Sequence, residues 1–248
     1  MLAAIGCGGR PHVDSIEWTV MGTVAKVSFK GCAPDVALKR RVCAAVREVY
    51  GDVESRLSIW NPHSEISNYT SIDGVSAETR PCYEAAFAMR ERSGGAFDPF
   101  WRGDAKGPDL GAIAKGFAVD LAARRLLENG LVSDDILLDL GGNLKAVSGT
   151  WNTGILDPSG SGGVVRGIVL TNGMACATSG EYARGKHIYD GRTGRPVSNR
   201  VASVTVVHPS SAMLADALST TLFVLGQDEG SAFLRKFHPE AYAEWVLR

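Results

Sequence analysis

Apolar and polar positions alternate from Ile16 to Lys30. Ile16, Trp18 and Val20 share one side, and Ala25, Val27 and Phe29 resume the pattern after Gly22. A period of two marks half-buried strands, so the pattern predicts two of them with a bend or hairpin between. Leu38, Val42, Ala45 or Val46, Val49, Val53 and Leu57 then recur at three- and four-residue steps, with Lys39, Arg40, Arg41, Arg47 and Glu48 largely off the stripe. That is a surface helix packed on a sheet. Asn61 to Gly74 is polar and turn-rich. Pro81 to Arg92 reads as a second helix, with Pro at its start and Gly94-Gly95 beyond its end. Ala112 to Glu128 reads as a third, with Ile113, Phe117 and Leu121 inward. Ile136 to Leu140 is a short buried strand, and Val164 to Leu170 and Val201 to Val207 are further strands. Ala212 to Leu225 is a helix with Leu214, Leu218, Leu222 and Leu225 on one face. A short helix around Ser231 and a strand near Trp245 complete the chain. Helices and strands interleave without a regular βα repeat, an internal repeat or a linker. The expectation is one α+β domain, with mixed or antiparallel sheets packed against helices. Residues 1–15 are expected to contribute little to it.

Composition narrows the function classes. Of 248 residues 45% are apolar and 21% charged, which excludes a disordered, collagen-like or coiled-coil chain. Lys and Arg number 26 against 27 Asp and Glu, so neither a broad nucleic-acid surface nor a polybasic membrane patch is indicated. No apolar run approaches the roughly 18 residues of a spanning helix. The five cysteines, Cys7, Cys32, Cys43, Cys82 and Cys176, show no C-x-x-C spacing. The last four read as small buried apolar side chains, with at most one disulfide pair. Cys7 follows Leu2-Ala3-Ala4-Ile5-Gly6, small and apolar residues like the end of a bacterial lipoprotein signal. The apolar stretch is short and lacks a basic flank, so either residues are missing upstream or the match is chance. A lipid anchor at Cys7 would put the protein in the bacterial periplasm, at the inner membrane; otherwise the cytoplasm is expected.

Three strings carry chemistry. Asp216 and Thr220 lie four apart on a predicted helix and share a face, directed away from the Leu214/Leu218/Leu222 stripe. A carboxylate and a hydroxyl one turn apart form a pair of hard oxygen ligands for Mg²⁺, although such pairs are commonly only solvated. Asp109-Leu110-Gly111-Ala112-Ile113-Ala114-Lys115-Gly116 opens a helix. Asp109 is an N-cap candidate there, and Lys115 puts a cation at the end where it disfavours the helix unless an anion docks. In Lys186 to Gly194 a His and an Asp stand three apart, a pairing suited to proton transfer near neutral pH. No G-x-G-x-x-G, Walker A or G-x-S-x-G motif is present.

Together these strings resemble the ApbE family of FAD:protein FMN transferases. The matching strings are Met21-Gly22-Thr23; Ser58-Ile59-Trp60 with Ser64-Glu65-Ile66-Ser67; Gly95-Ala96-Phe97-Asp98-Pro99; Asp109 to Asp120; Asp139-Leu140-Gly141-Gly142-Asn143; Ala177-Thr178-Ser179-Gly180; His187-Ile188-Tyr189-Asp190 with Thr193-Gly194; and Ala215-Asp216-Ala217-Leu218 with Thr220. They run in the family's order from about residue 20 to about 226.

The resemblance implies a single ApbE-like, T-fold-related domain with an FAD cleft between sub-regions. It implies Mg²⁺-dependent transfer of FMN from FAD to a Ser or Thr of an acceptor flavoprotein, with release of AMP. FAD pyrophosphatase activity, or FAD binding with little turnover, is the alternative. It assigns Asp216, Thr220 and the Ala112 carbonyl to the metal. Met21, Trp60, Ala96, Phe97, Asp98, Asp109, Lys115 and Ile188 fall on positions lining the FAD site. His187 falls on the histidine that assists proton transfer, with Asp216 beside it in catalysis. Trp60 can stack on a planar ring, or sit in the core. Three positions depart from the family pattern. Only Pro99 to Pro108 separate Phe97-Asp98-Pro99 from Asp109, where the family has several tens of residues. Thr70 stands where the family commonly has Asn, a residue that there influences whether FAD is held or hydrolysed. Gly191 replaces a usual Pro and is expected to loosen the turn beside His187.

Overall fold

The computed structural model describes residues 13–31, 35–132, 135–181 and 185–248. Cys7, the candidate lipid-attachment site, and Cys32 lie outside these residues.

The first two strands, β1 (Val13–Val20) and β2 (Thr23–Lys30), form an antiparallel hairpin. Its turn is Met21–Gly22, with φ of 52° and 65°. Positive φ at both central residues matches the right-handed twist of the flanking strands. β1 starts ahead of the expected Ile16. Val13 to Ser15 pair with Ser28 to Lys30, and the Ser15 and Ser28 hydroxyls meet at 2.9 Å. Residues 13–15 are thus part of the sheet rather than of a dispensable leader.

Helix α1 (Val36–Leu57) is capped by Asp35, whose carboxylate accepts the Ala37 and Leu38 N–H groups. Its buried stripe keeps the predicted Val42, Val46, Val49, Val53 and Leu57, adds Lys39, Cys43 and Tyr50, and leaves Leu38 half-buried. Lys39 is only 6% exposed, because its ammonium reaches Asp14 at 2.6 Å and lies over the Phe29 ring. Helices α2 (Arg80–Arg92) and α3 (Ala114–Glu128) follow. α3 begins two residues later than expected, since Leu110 to Ile113 close a tight turn on the Leu110 carbonyl.

The remaining strands are β3 (Asp135–Leu140), β4 (Asn143–Ala146), β5 (Trp151–Leu156), β6 (Val164–Leu170), β7 (Ala175–Gly180), β8 (Tyr189–Asp190), β9 (Arg195–Pro196), β10 (Val201–His208) and β11 (Tyr242–Leu247). One seven-stranded sheet has the order β1-β2-β3-β4-β7-β10-β11, and every pair in it is antiparallel. The helices cover one face through Val27, Val46, Phe117, Leu138, Val206 and Leu218. The β5–β6 hairpin covers part of the other, where Trp151, Ile155, Ile168 and Leu170 meet Leu137, Cys176 and Val207. Cys43, Cys82 and Cys176 are free and buried, as their reading as apolar side chains expects.

Helix α4 (Ala212–Phe237) differs from its prediction in two ways. It continues past Leu225 through a break at Gly226 (φ 77°), beside which Asn199 donates to the Phe223 carbonyl at 2.7 Å, and it absorbs the separate short helix expected near Ser231. It is also buried on most of its sides: Ala215, Asp216, Ala217, Leu218, Ser219, Thr221 and Leu222 are all buried. A one-face stripe is the signature of a surface helix. α4 lies between the sheet, α2 and α3, so it is a central one. No helix among the described residues is long and apolar enough to cross a membrane.

Candidate functional site

The site is set by how closely α3 approaches α4. A Cβ on Gly116 would lie 2.2 Å from the Ala212 carbonyl oxygen and 2.8 Å from the Asp216 Cβ. Only glycine allows this contact. It brings the Gly116 N–H to Asp216 Oδ2 at 3.0 Å and Lys115 Nζ to the same oxygen at 3.8 Å. Asp120, one turn further along α3, locks the start of α4. Its carboxylate accepts from the Ser211 hydroxyl and from the Ala212 and Met213 N–H groups, and it pairs with Lys145 at 2.9 Å. Asp216 is 6% exposed, buried rather than on a solvated face. Thr220 stands one turn on, its Oγ1 3.2 Å from the Ser179 hydroxyl of β7.

A cleft of about 980 Å³ opens over this junction. Ala112, Lys115, Asp216 and Thr220 line it. Lys115 also donates to the Gly111 carbonyl at 2.9 Å, which curls its side chain over the helix entry. Asp109 is not the N-cap expected of it: α3 is preceded by Ile113 with no side-chain cap, and the Asp109 carboxylate instead accepts the Gly111 N–H at 2.9 Å in the turn leading to the helix. Met21 and Trp60 line the cleft from the β1–β2 turn and the end of α1. Met21 is the one non-glycine residue with positive φ among the described residues, and its N–H is held by Glu54 Oε1 at 2.8 Å. Trp60 is 89% exposed, a rim residue and not a core aromatic.

Ala96, Phe97 and Asp98 form another wall with His187 and Ile188. Asp98 is fixed by Arg90 at 2.8 Å and by the Phe100 N–H at 2.9 Å. His187 is exposed, and its Nδ1 lies 2.8 Å from the Gly185 carbonyl. A carbonyl only accepts, so Nδ1 carries a proton, and in the neutral ring the lone pair is on Nε2. Near His187, the Arg192 guanidinium beside Asp190 holds that carboxyl below its usual range. Burial pushes the Asp139 carboxyl up, against the opposing Gly142 N–H bond.

Every residue assigned from the sequence to the metal, the flavin site or the proton-transferring histidine borders the same cleft. Asp190, expected to pair with His187, does not: its carboxylate is held by Arg192 at 2.8 Å, while His187 Nδ1 meets the Gly185 carbonyl. Two of the three departures look different in the structure. Thr70 is exposed and is not among the residues bordering the cleft. The turn at Gly191 is not loose: a Cβ there would fall 2.3 Å from the Asp98 Cβ and 2.4 Å from the Gly95 carbonyl oxygen. Sequence reasoning missed Glu54, Trp101 and the β5 segment Thr153 to Leu156, all of which line the cleft. Glu54 was legible only as a polar residue on the exposed side of α1.

The fold is that of solved flavin transferases. Flavin transferase ApbE from Vibrio cholerae superposes with a TM-score of 0.79 at 24% identity, covering 96% of this chain and 94% of that one. The ApbE protein from Thermotoga maritima gives 0.78 at 24%, covering 95% and 94%. The chain belongs to the ApbE family, whose model matches residues 21–103 and 104–243. Among its relatives, the FAD:protein FMN transferase of Haemophilus influenzae is 36% identical over 97% of this chain and 89% of its own length. The FAD:protein FMN transferase of Treponema pallidum is 28% identical over 96% and 86%. The chain is an enzyme of this family.

Proposed function

We propose that the protein transfers the FMN moiety of FAD to a Ser or Thr hydroxyl of an acceptor flavoprotein, with Mg²⁺, and releases AMP. The observation that carries this reading is the meeting, in one cleft of about 980 Å³, of hard oxygens, a lysine and an exposed histidine. Asp216, Thr220 and the Ala112 carbonyl offer oxygen only, and a single carboxylate. That is a fitting set for Mg²⁺ when substrate phosphates complete its shell. No cluster of three His, Cys, Asp or Glu groups suited to a metal occurs among the described residues. Bound there, the ion supplies charge stabilisation to the non-bridging phosphate oxygens.

The chain's own residues do the rest. Lys115 offsets diphosphate charge at the entry of α3. Trp60 presents a ring face on which a heterocycle can stack. His187 Nε2 takes the proton as the acceptor oxygen bonds to the FMN phosphorus and the bond to the AMP oxygen breaks. A second reading, hydrolysis of FAD to FMN and AMP, draws support from the exposure of His187, which lets water take the acceptor's place. Incubation with FAD, Mg²⁺ and a Thr-bearing acceptor domain separates the outcomes. A covalently flavinylated acceptor supports transfer, free FMN with AMP supports hydrolysis, and intact FAD overturns both.

A further inference from the structure

The short segment between Pro99 and Pro108 sends consecutive aromatic rings in two directions. Phe100 stacks on Phe87 of α2 (centroids 5.7 Å, 22°) and also meets Tyr69. Trp101 stacks on Tyr189, two residues beyond His187 (centroids 4.4 Å, 17°). The indole is held at its edge as well, since Nε1 donates to Asp109 Oδ2 at 3.3 Å. The loop closes on itself through Asp109 N–H to the Pro99 carbonyl (2.7 Å) and Trp101 N–H to the Asp98 carbonyl (3.2 Å). A second contact joins the same two segments. The Gly191 N–H donates to the Ala96 carbonyl at 3.3 Å, and a Cβ on Gly191 would fall 2.3 Å from the Asp98 Cβ. The strand bearing Tyr189 is short, pairing only with Arg195–Pro196 of β9, and the turn before it carries an exposed His187. So short a ladder orders little by itself. The turn therefore depends on what it packs against.

We propose that Trp101 is a positioning residue: its stack on Tyr189 fixes the 187–191 turn, and with it the His187 imidazole, against the Ala96–Asp98 wall. This rests on the role given above to His187. An aromatic pair of this kind favours its arrangement roughly two- to tenfold beyond the area it buries. A ring held at one edge by Asp109 and on one face by Tyr189 transmits that preference to the turn. The Asp109 carboxylate consequently holds both the Trp101 edge and the Gly111 N–H of the turn leading to α3, and so ties the indole to that turn.

The test has two arms on the full chain. In protein without ligand, amide hydrogen exchange reads Gly191 and Val197, whose N–H groups bond Ala96 and Ile188. Trp101→Ala is expected to speed exchange at both by about tenfold, and Trp101→Phe to restore most of the protection. In the flavin assay, Trp101→Ala is expected to lower kcat about tenfold with KM for FAD changed less than about twofold, again with recovery in Trp101→Phe. Unchanged exchange overturns the proposal. So does a rise in KM at constant kcat, which would make the indole a ligand contact instead. An inactive wild-type protein would overturn the functional reading, while the exchange arm still decides whether Trp101 holds the turn.

Discussion

Replacing Gly116 by Ala puts a methyl group where the backbone of α4 already lies. The added Cβ would be 2.2 Å from the Ala212 oxygen, 2.6 Å from its carbonyl carbon and 2.8 Å from the Asp216 Cβ. Carbon atoms rest at about 3.5–4.0 Å, so the two helices must part by roughly 1 Å. None of these neighbours is the tip of a flexible chain that can swing aside. Overpacking of this kind costs about 1–3 kcal/mol. The same shift stretches the 3.0 Å bond from the Gly116 N–H to Asp216 beyond hydrogen-bonding range. Losing a bond to a charged group costs about 1.5–3 kcal/mol more. Against this stands the gain in helix propensity of Ala over Gly, about 1 kcal/mol. The net expectation is a loss of about 1.5–5 kcal/mol, or a fall in Tm of roughly 3–20 °C for a chain of this size. Urea and thermal unfolding followed by circular dichroism measure it, with Mg²⁺-dependent FAD turnover as a parallel readout that is expected to fail. A Gly116→Ala protein as stable as the wild type, or more stable as an unobstructed helical Gly→Ala change would make it, refutes the reasoning.

Asp216→Asn keeps the shape and an acceptor for the Gly116 N–H but removes the carboxylate charge. It is expected to abolish Mg²⁺-stimulated turnover while Tm changes little, and a wild-type rate at limiting Mg²⁺ would count against the metal assignment. His187→Ala is expected to slow FMN transfer by about 10²-fold or more, the lower end of what a positioned base contributes, with little effect on FAD affinity measured by fluorescence titration; equal losses in both would remove its role. His208 is buried, which holds its imidazole below the ordinary 6.5, and its Nδ1 accepts the Ser210 and Ser211 N–H groups while Nε2 faces Glu240 at 3.4 Å. As pH falls, the unfolded chain takes up this proton first, so stability is whole above about pH 6.5 and declines below it until the folded ring also protonates. Urea midpoints between about pH 8 and 5 read this decline. His208→Asn, whose amide oxygen can still accept those N–H groups, is expected to flatten it, and an equal decline in the variant would exclude His208 as the source.

Local pattern made part of this protein readable without any structure. The alternation over Ile16 to Lys30 and the helical periods of α1 and α3 are properties of neighbouring residues, and the folded chain keeps them. The Asp216–Thr220 spacing belongs to the same class, since any helix places residues four apart on one face. The strands β4, β5 and β7 were not readable. Sequences such as Ala175-Cys176-Ala177-Thr178-Ser179-Gly180 and Trp151-Asn152-Thr153-Gly154 lack alternation, and they become strands by pairing with neighbours already in place. The burial of α4 on most of its sides was likewise hidden, because its small polar residues face other elements rather than water.

The site divides along the same line. The chain by itself determined which oxygens, cation and imidazole are available, and that two of the oxygens lie one helical turn apart. Only the tertiary structure decided that Gly116 would lie against Ala212 and bond Asp216 across an interval of 100 residues, or that Trp101 would stack on Tyr189. Those distances depend on how closely two elements pack, which depends on the absence of a Cβ at one position and the edge of a ring at another, and no periodicity along the chain encodes which partner each will meet.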